Sequence, residues 1–151
     1  MKKLFITLFF LSPILCFANY SNVCFHAVVL TNNSSANFYN QSGTQTGSAR
    51  KNGNTTFYYN QNGAQTGSAR KNGDTTFYYD RNGVQTGSSK TVNGTTFYYD
   101  QNGVQTGSSK TVNGTTFYYD RNGVLISTSR NQNNKTTCYD QNGVFTGSTT
   151  K

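Results

Sequence analysis

The sequence predicts an all-β fold, a repetitive antiparallel meander of β-hairpins that forms an elongated, coiled sheet. Three observations lead to this prediction: a twenty-residue period, segments rich in Thr, Phe and Tyr, and Asn-Gly pairs between those segments. A recurring Asn or Asp marks the period, at Asn40, Asn60, Asp80, Asp100, Asp120 and Asp140. The predicted organisation is a signal peptide over 1–18, a lead-in segment over 19–36 and six tandem hairpin repeats over 37–151.

The first eighteen residues have the composition of a secretory signal. Lys2 and Lys3 precede an apolar run, which ends in Cys16-Phe17-Ala18 with small residues at the positions that signal peptidase reads. The run is shorter than the roughly 20 residues that span a bilayer. We therefore expect cleavage after Ala18, export to the periplasm or the cell surface, and no transmembrane segment in the mature chain.

Charge and cysteine content also bear on function. Removal of the signal leaves eleven Lys and Arg residues against five Asp and no Glu, a surplus that favours anionic partners, although charged turns also keep a sheet soluble. Cys24 and Cys138 remain, and in an oxidising compartment an even pair predicts a disulfide. This bridge would stabilise the fold by about 4–5 kcal/mol in the chain-entropy picture. A free Cys24 is the alternative.

Each repeat contains two segments with strand character. In the copy from 95 to 114 these are TTFYYD and VQTGSSK, joined by Asn102-Gly103 and followed by Asn113-Gly114. A type I′ turn needs positive φ at both central residues, which Asn-Gly accepts readily. The sequence therefore predicts two-residue turns throughout and no helix in the mature protein. The lead-in residues 24–30, CFHAVVL, are interpreted as a strand that covers the open first edge.

The two turns set the cross-strand register. The predicted pairs are Tyr99 with Thr106, Tyr98 with Gly107, Phe97 with Ser108, Ser108 with Tyr119, and Lys110 with Phe117. Successive repeats then slip by two residues, a stagger that coils a sheet and can close it into a barrel. Because Phe97 and Tyr99 share one face, we expect that face to form the core. The opposite face would then expose a row of rings, the candidate binding residues Tyr58, Tyr78, Tyr98 and Tyr118.

A parallel β-solenoid with one repeat per rung is the second choice of fold. It would stack Asp80 on Asp100, and Arg50 on Arg70, at about 4.8 Å. Like charges at that spacing repel, which places the solenoid second. The abundance of Gln and Asn keeps it open, because amide ladders stabilise stacked rungs and amyloid.

The chain is not expected to be an enzyme. Acid–base or nucleophilic catalysis needs a base held beside its partner, whereas His26 is the single histidine and lies outside the repeats. The DRNG and DQNG segments have the opening of a calcium loop but lack its closing glutamate. Aspartate before Asn-Gly is more simply a turn residue. No metal site and no cofactor is therefore predicted.

The segment GTTFYYDQNGVQTG, from Gly94 to Gly107, resembles the repeats of choline-binding and glucan-binding cell-wall proteins. The resemblance covers Asn37 to Gly147 and implies hairpins stacked into a spiral. Phe97 and Ser108 stand where that family has tryptophans, and its choline sites lie among tryptophans, so the choline function does not transfer. The resemblance therefore implies glycan binding only in a looser sense, through tyrosine rings that stack on sugars.

Two functions are weighed from the sequence. The first is an exported structural or protein-interaction module of the cell envelope, favoured by near-identical copies, since SSKTVNGTTFYYD occurs twice. The second is a glycan-binding module that uses the tyrosine row on envelope polysaccharide. A nucleic-acid or membrane-surface binder and a functional amyloid are minor alternatives. The expected partner is envelope polysaccharide or another surface protein, and nucleic acid is not expected because the chain is exported.

Overall fold

The structure, a computed structural model, describes residues 30, 31 and 33–151. This part of the chain consists of twelve antiparallel strands joined in sequence order. Each repeat supplies a six-residue strand followed by an eight-residue strand, except that the last strand also has six residues. The strands are β1 Ser35–Asn40, β2 Gln45–Asn52, β3 Thr55–Asn60, β4 Gln65–Asn72, β5 Thr75–Asp80, β6 Gln85–Val92, β7 Thr95–Asp100, β8 Gln105–Val112, β9 Thr115–Asp120, β10 Leu125–Gln132, β11 Lys135–Asp140 and β12 Phe145–Thr150.

The sheet closes on itself into a barrel. Strand β1 pairs with β2 on one side and with β12 on the other, where Phe38 lies opposite Thr149 and Tyr39 opposite Ser148. The antiparallel meander is thus confirmed, whereas the open coiled sheet and the solenoid are wrong. Closure pairs both strand edges, and it follows from the two-residue slip of each repeat, which tilts the strands as a barrel requires.

The predicted register holds for most pairs of the unit. Phe97 faces Ser108, Tyr98 faces Gly107, and Lys110 faces Phe117. Tyr99 lies opposite Gln105 rather than Thr106, because the ladder shifts by one residue between Tyr98 and Tyr99. The same bulge recurs wherever a six-residue strand pairs with the eight-residue strand that follows it.

The turns are of two kinds, and the prediction of two-residue turns is right for one of them. At Asn113-Gly114 both φ angles are positive, 50° and 77°, as a type I′ turn needs. At Asn102-Gly103 only Gly103 has positive φ, 79°, and the loop spans the four residues 101–104. The reason is Asp100, whose carboxylate oxygen Oδ1 accepts the backbone N–H groups of Asn102 and Val104 at 2.8 and 2.9 Å.

Replacement of this turn carboxylate gives a first prediction. Asp100→Ala leaves the two N–H groups without their acceptor and should lower the free energy of unfolding by about 1–2 kcal/mol. Asp100→Asn is the matched control, because Asn60 accepts the same two bonds in its own turn, both at 2.9 Å. Urea unfolding of both variants measures the effect. An Asp100→Asn variant as unstable as Asp100→Ala would contradict the assignment.

The side chains alternate between an inner and an outer wall of the barrel. In β7, Tyr98 points inward and is 5 % exposed, while Phe97 and Tyr99 point outward and are partly exposed. The prediction that Phe97 and Tyr99 form the core is therefore wrong. Inside a closed barrel, space allows one large ring for each pair of small neighbours, and Tyr98 has such neighbours in Ser89 and Gly107.

Of the lead-in segment, the structure describes residues 30, 31 and 33–36. Residue Leu30 is buried against the inner-wall residues Ala36, Phe38 and Ala49, and its carbonyl accepts a bond from the Lys51 ammonium at 3.0 Å. The signal peptide over 1–18 and most of the lead-in lie outside the described residues. Within the described part, no helix is long and apolar enough to cross a membrane.

Candidate binding surface

The four tyrosines predicted as a binding row line the inner wall. Tyr78, Tyr98 and Tyr118 are 8, 5 and 7 % exposed, and Tyr58 packs, partly buried, against the inner-wall residues around it. The structure brings these residues together on neighbouring hairpins, but their predicted exposure is wrong. A polymer outside the barrel therefore meets a different set of side chains.

Hydroxyl pairs connect three of these tyrosines to the next eight-residue strand. The phenol oxygen of Tyr78 lies 2.9 Å from Ser89 Oγ, that of Tyr98 lies 2.9 Å from Ser109 Oγ, and Tyr118 bonds Ser129 at 3.3 Å. In the pair that begins at Tyr58, Ala69 stands where the serine would be. Three of the four inner phenols therefore have a hydroxyl partner within the core itself.

Cys138 occupies the position of these tyrosines in the last repeat. It is 8 % exposed and disulfide-bonded. Its predicted partner, Cys24, lies outside the described residues, so the Cys24–Cys138 pairing stays a prediction. In the described chain no group of three or more His, Cys, Asp or Glu residues is arranged to hold a metal ion.

Burial also controls the ionisation of the inner phenols. Desolvation raises the pKa of Tyr58 well above its usual range, and the neighbouring Tyr78 phenol adds to the rise. Desolvation likewise raises the pKa of Tyr78, while the hydrogen bond from Ser89 offsets part of that change. Both phenols are therefore kept neutral at pH values at which an exposed tyrosine ionises.

These raised pKa values predict a loss of stability in alkali. Below about pH 10, the pKa of tyrosine in an unfolded chain, both states hold the phenol protons and stability is present in full. As the pH rises from there towards the folded pKa, only the unfolded state releases protons, so the free energy of unfolding falls. Urea unfolding between pH 8 and 11 measures the fall. Tyr58→Phe should reduce it, and an unchanged slope in that variant would contradict the assignment.

The outer wall carries a set of side chains that repeats around the barrel. We define an outer row as a basic residue, a phenylalanine, a small hydroxyl residue and a tyrosine that face one another on four successive strands. Within residues 33–151, four rows are complete: Arg50, Phe57, Ser68 and Tyr79; Arg70, Phe77, Ser88 and Tyr99; Lys90, Phe97, Ser108 and Tyr119; Lys110, Phe117, Thr128 and Tyr139.

Within a row the two rings flank one intervening strand. Phe77 faces Ser88 and Ser88 faces Tyr99, so the rings stand about 10 Å apart across a shallow groove floored by serine. Both rings are partly exposed, and Arg70 at the end of the row is exposed. This arrangement can stack a flat ligand ring and pair an anionic group at the same time.

Charge is divided unequally between the two ends of the barrel. We call the end that holds the two-residue turns, together with residues 33–35 and 150–151, the basic rim, and the end that holds the four-residue turns the acidic rim. Of the described residues, those near the acidic rim are Asp80, Asp100, Asp120, Asp140, Arg81 and Arg121. Those near the basic rim are Arg50, Lys51, Arg70, Lys71, Lys90, Lys110, Arg130, Lys135, Lys151 and Asp74.

A cleft of about 730 Å³ opens on the outer wall at the basic rim. Arg70 and Lys71 line it together with Phe77, Tyr79 and the turn at 53–54. Arg70 and Phe77 belong to one outer row, and Tyr79 belongs to the row before it. The cleft therefore joins the Arg70 guanidinium and two aromatic rings of the outer wall in one concave surface, and Lys71 lines it at the rim.

The outer rows could have been recognised from the sequence. The predicted pairing already placed Phe97, Ser108 and Tyr119 in one line. The face with Phe97 and Tyr99 carries more rings, which favours it as the core. A basic residue ends each of these lines of side chains, however, and a charged residue is rarely buried, which favours the same face as the outer wall. The segregation of charge follows directly once the two kinds of turn are assigned to opposite ends.

Comparison with known proteins gives little further information. No protein family and no curated protein matches this chain. Among solved structures, the chain is similar to an alternansucrase in complex with isomaltononaose, with 23 % sequence identity and a TM-score of 0.23. The likeness covers 73 % of this chain and 11 % of the alternansucrase chain.

Proposed function

We propose that this chain is an exported, non-catalytic module of the cell envelope that engages a partner through several equivalent positions on its outer wall. One observation supports the proposal above others, the fourfold recurrence of the outer row around a closed barrel. The inner tyrosines are enclosed by the barrel, and the pairing of β1 with β12 leaves no free strand edge in the described sheet, so the outer wall is the surface open to a partner. Equivalent sites on one rigid body bind through multivalency.

The experiment removes the rows one by one. Phenylalanine and tyrosine of one, two, three and then four rows are replaced by serine, and co-sedimentation with isolated bacterial envelopes measures the bound fraction of the mature protein. We expect a graded loss with each row. Urea unfolding of every variant shows that the barrel is retained. Complete loss on removal of any single row would contradict an array of equivalent sites.

A second candidate is a glycan-binding module, favoured by the pair of rings that flank each serine-floored groove. In this proposal the binding tyrosines are Tyr79, Tyr99, Tyr119 and Tyr139 instead of the inner-wall set. Enzymatic removal of polysaccharide from the envelopes separates the candidates, since a protein partner retains the module after that treatment and a glycan partner does not.

A further inference from the structure

We infer that the cleft at the basic rim binds an acidic polysaccharide whose carboxylates sit directly on the sugar ring, as in a uronic acid polymer. The inference rests on the proposed function, because it takes the outer wall as the binding surface. It adds the chemical class of the ligand and its place on the outer wall.

The charge distribution selects an anionic ligand. Nine basic residues and one acidic residue lie near the basic rim, whereas two basic and four acidic residues lie near the acidic rim, within the described chain. The four aspartates of the acidic rim all use a carboxylate oxygen to accept turn N–H groups. A polyanion is therefore attracted to one end of the barrel and not to the other.

The side chains that line the cleft favour a sugar ligand over a simple anion. Arg70 and Phe77 lie directly opposite each other on adjacent strands, about 4.8 Å apart along the hydrogen-bonding direction. A pyranose ring on Phe77 or Tyr79 would place a carboxylate of the same ring within reach of the Arg70 guanidinium, which binds carboxylate through two parallel bonds. Lys71, the next residue along the strand, also lines the cleft and adds positive charge at the basic rim.

The neighbouring rows extend this cleft into a track for a polymer. Arg70 faces Thr55, and Thr55 lies two residues from Phe57 in the preceding row, so successive rows are displaced by two strands and two residues. Equivalent cations are then about 12 Å apart around the wall. A flexible anionic chain that occupies one cleft can therefore reach the next, which raises its affinity over that of a short fragment.

The test measures binding of trigalacturonate and polygalacturonate to the mature protein by calorimetry. Arg70→Gln with Lys71→Gln should weaken binding by about ten- to a hundredfold, the loss expected for a charge-assisted pair. Arg81→Gln with Arg121→Gln is the matched control, because it removes the same charge from the acidic rim and should leave the affinity unchanged. Phe77→Leu keeps apolar bulk without a flat face and should weaken binding as well.

Four outcomes would overturn the inference: equal affinity for neutral dextran, equal loss in the control, tighter binding of single-stranded DNA, or tighter binding of a phosphate-bearing polymer without uronic acid. The proposed function is tested separately by co-sedimentation with envelopes. Row-dependent retention on envelopes without any binding of polygalacturonate would overturn the ligand class alone. Loss of both would overturn the proposed function with it.

Discussion

Tyr98→Ala should lower the free energy of unfolding by about 3–5 kcal/mol, the range measured when a large buried ring is removed from a core. Tyr98 is 5 % exposed on the inner wall, and its neighbours there are Ser89 and Gly107. These small side chains cannot expand into the vacated space. The hydroxyl of Ser109 also loses its partner at 2.9 Å.

Two further variants separate the ring from its hydroxyl. Tyr98→Phe keeps the ring and should cost about 1–2 kcal/mol, and a double-mutant cycle with Ser109→Ala measures the coupling between the two hydroxyls. Tyr99→Ala is the matched control on the outer wall and should cost far less than Tyr98→Ala. Urea unfolding provides each value. A Tyr99→Ala variant less stable than Tyr98→Ala would show that the two walls are wrongly assigned.

Cys24→Ser should lower the free energy of unfolding of the mature protein by about 4–5 kcal/mol, because the predicted bridge to Cys138 closes a loop of more than a hundred residues. Substitution at Cys24 is cleaner than substitution at Cys138, since Cys138 is 8 % exposed on the inner wall and its loss also disturbs packing there.

The measurement compares urea unfolding with and without a reductant. Reduction should destabilise the wild type by the amount that Cys24→Ser does and should leave that variant unchanged. Peptide mapping under non-reducing conditions identifies the two bonded cysteines. A free Cys24 thiol in the map, or a wild type indifferent to reductant, would contradict the predicted bridge.

Local structure was largely predictable because the signals for it are short-range. The Thr-Phe-Tyr segments form the six-residue strands, and the Asn113-Gly114 turn has the predicted positive φ at both residues. The register of Phe97 and Lys110 also followed from turn positions. The four-residue turn at 101–104 was missed because the carboxylate of Asp100, which accepts two turn N–H groups, competes with the Asn-Gly signal.

Closure and the choice of faces were harder to predict because they depend on the whole ring of strands. A period-two pattern with rings at three consecutive positions, Phe97, Tyr98 and Tyr99, fits either face of a sheet equally well. Inside a closed barrel each large ring needs small neighbours, and Tyr98 has them in Ser89 and Gly107. This requirement places Tyr98 on the inner wall. Because Tyr98 is enclosed, the rings available for binding on this strand are Phe97 and Tyr99.

The pairing of β1 with β12 has a consequence for the number of repeats that one closed barrel can hold. The internal copies pair alike, so hydrogen bonding alone would accept five repeats or seven. The diameter of a barrel grows with its strand number, and a ring of ten strands would be about a sixth narrower. A ring of ten strands would leave less space for the inner tyrosines, and a ring of fourteen strands would leave more. The packing of the inner rings, and not only the hydrogen bonding between strands, therefore depends on the number of strands in the closed barrel.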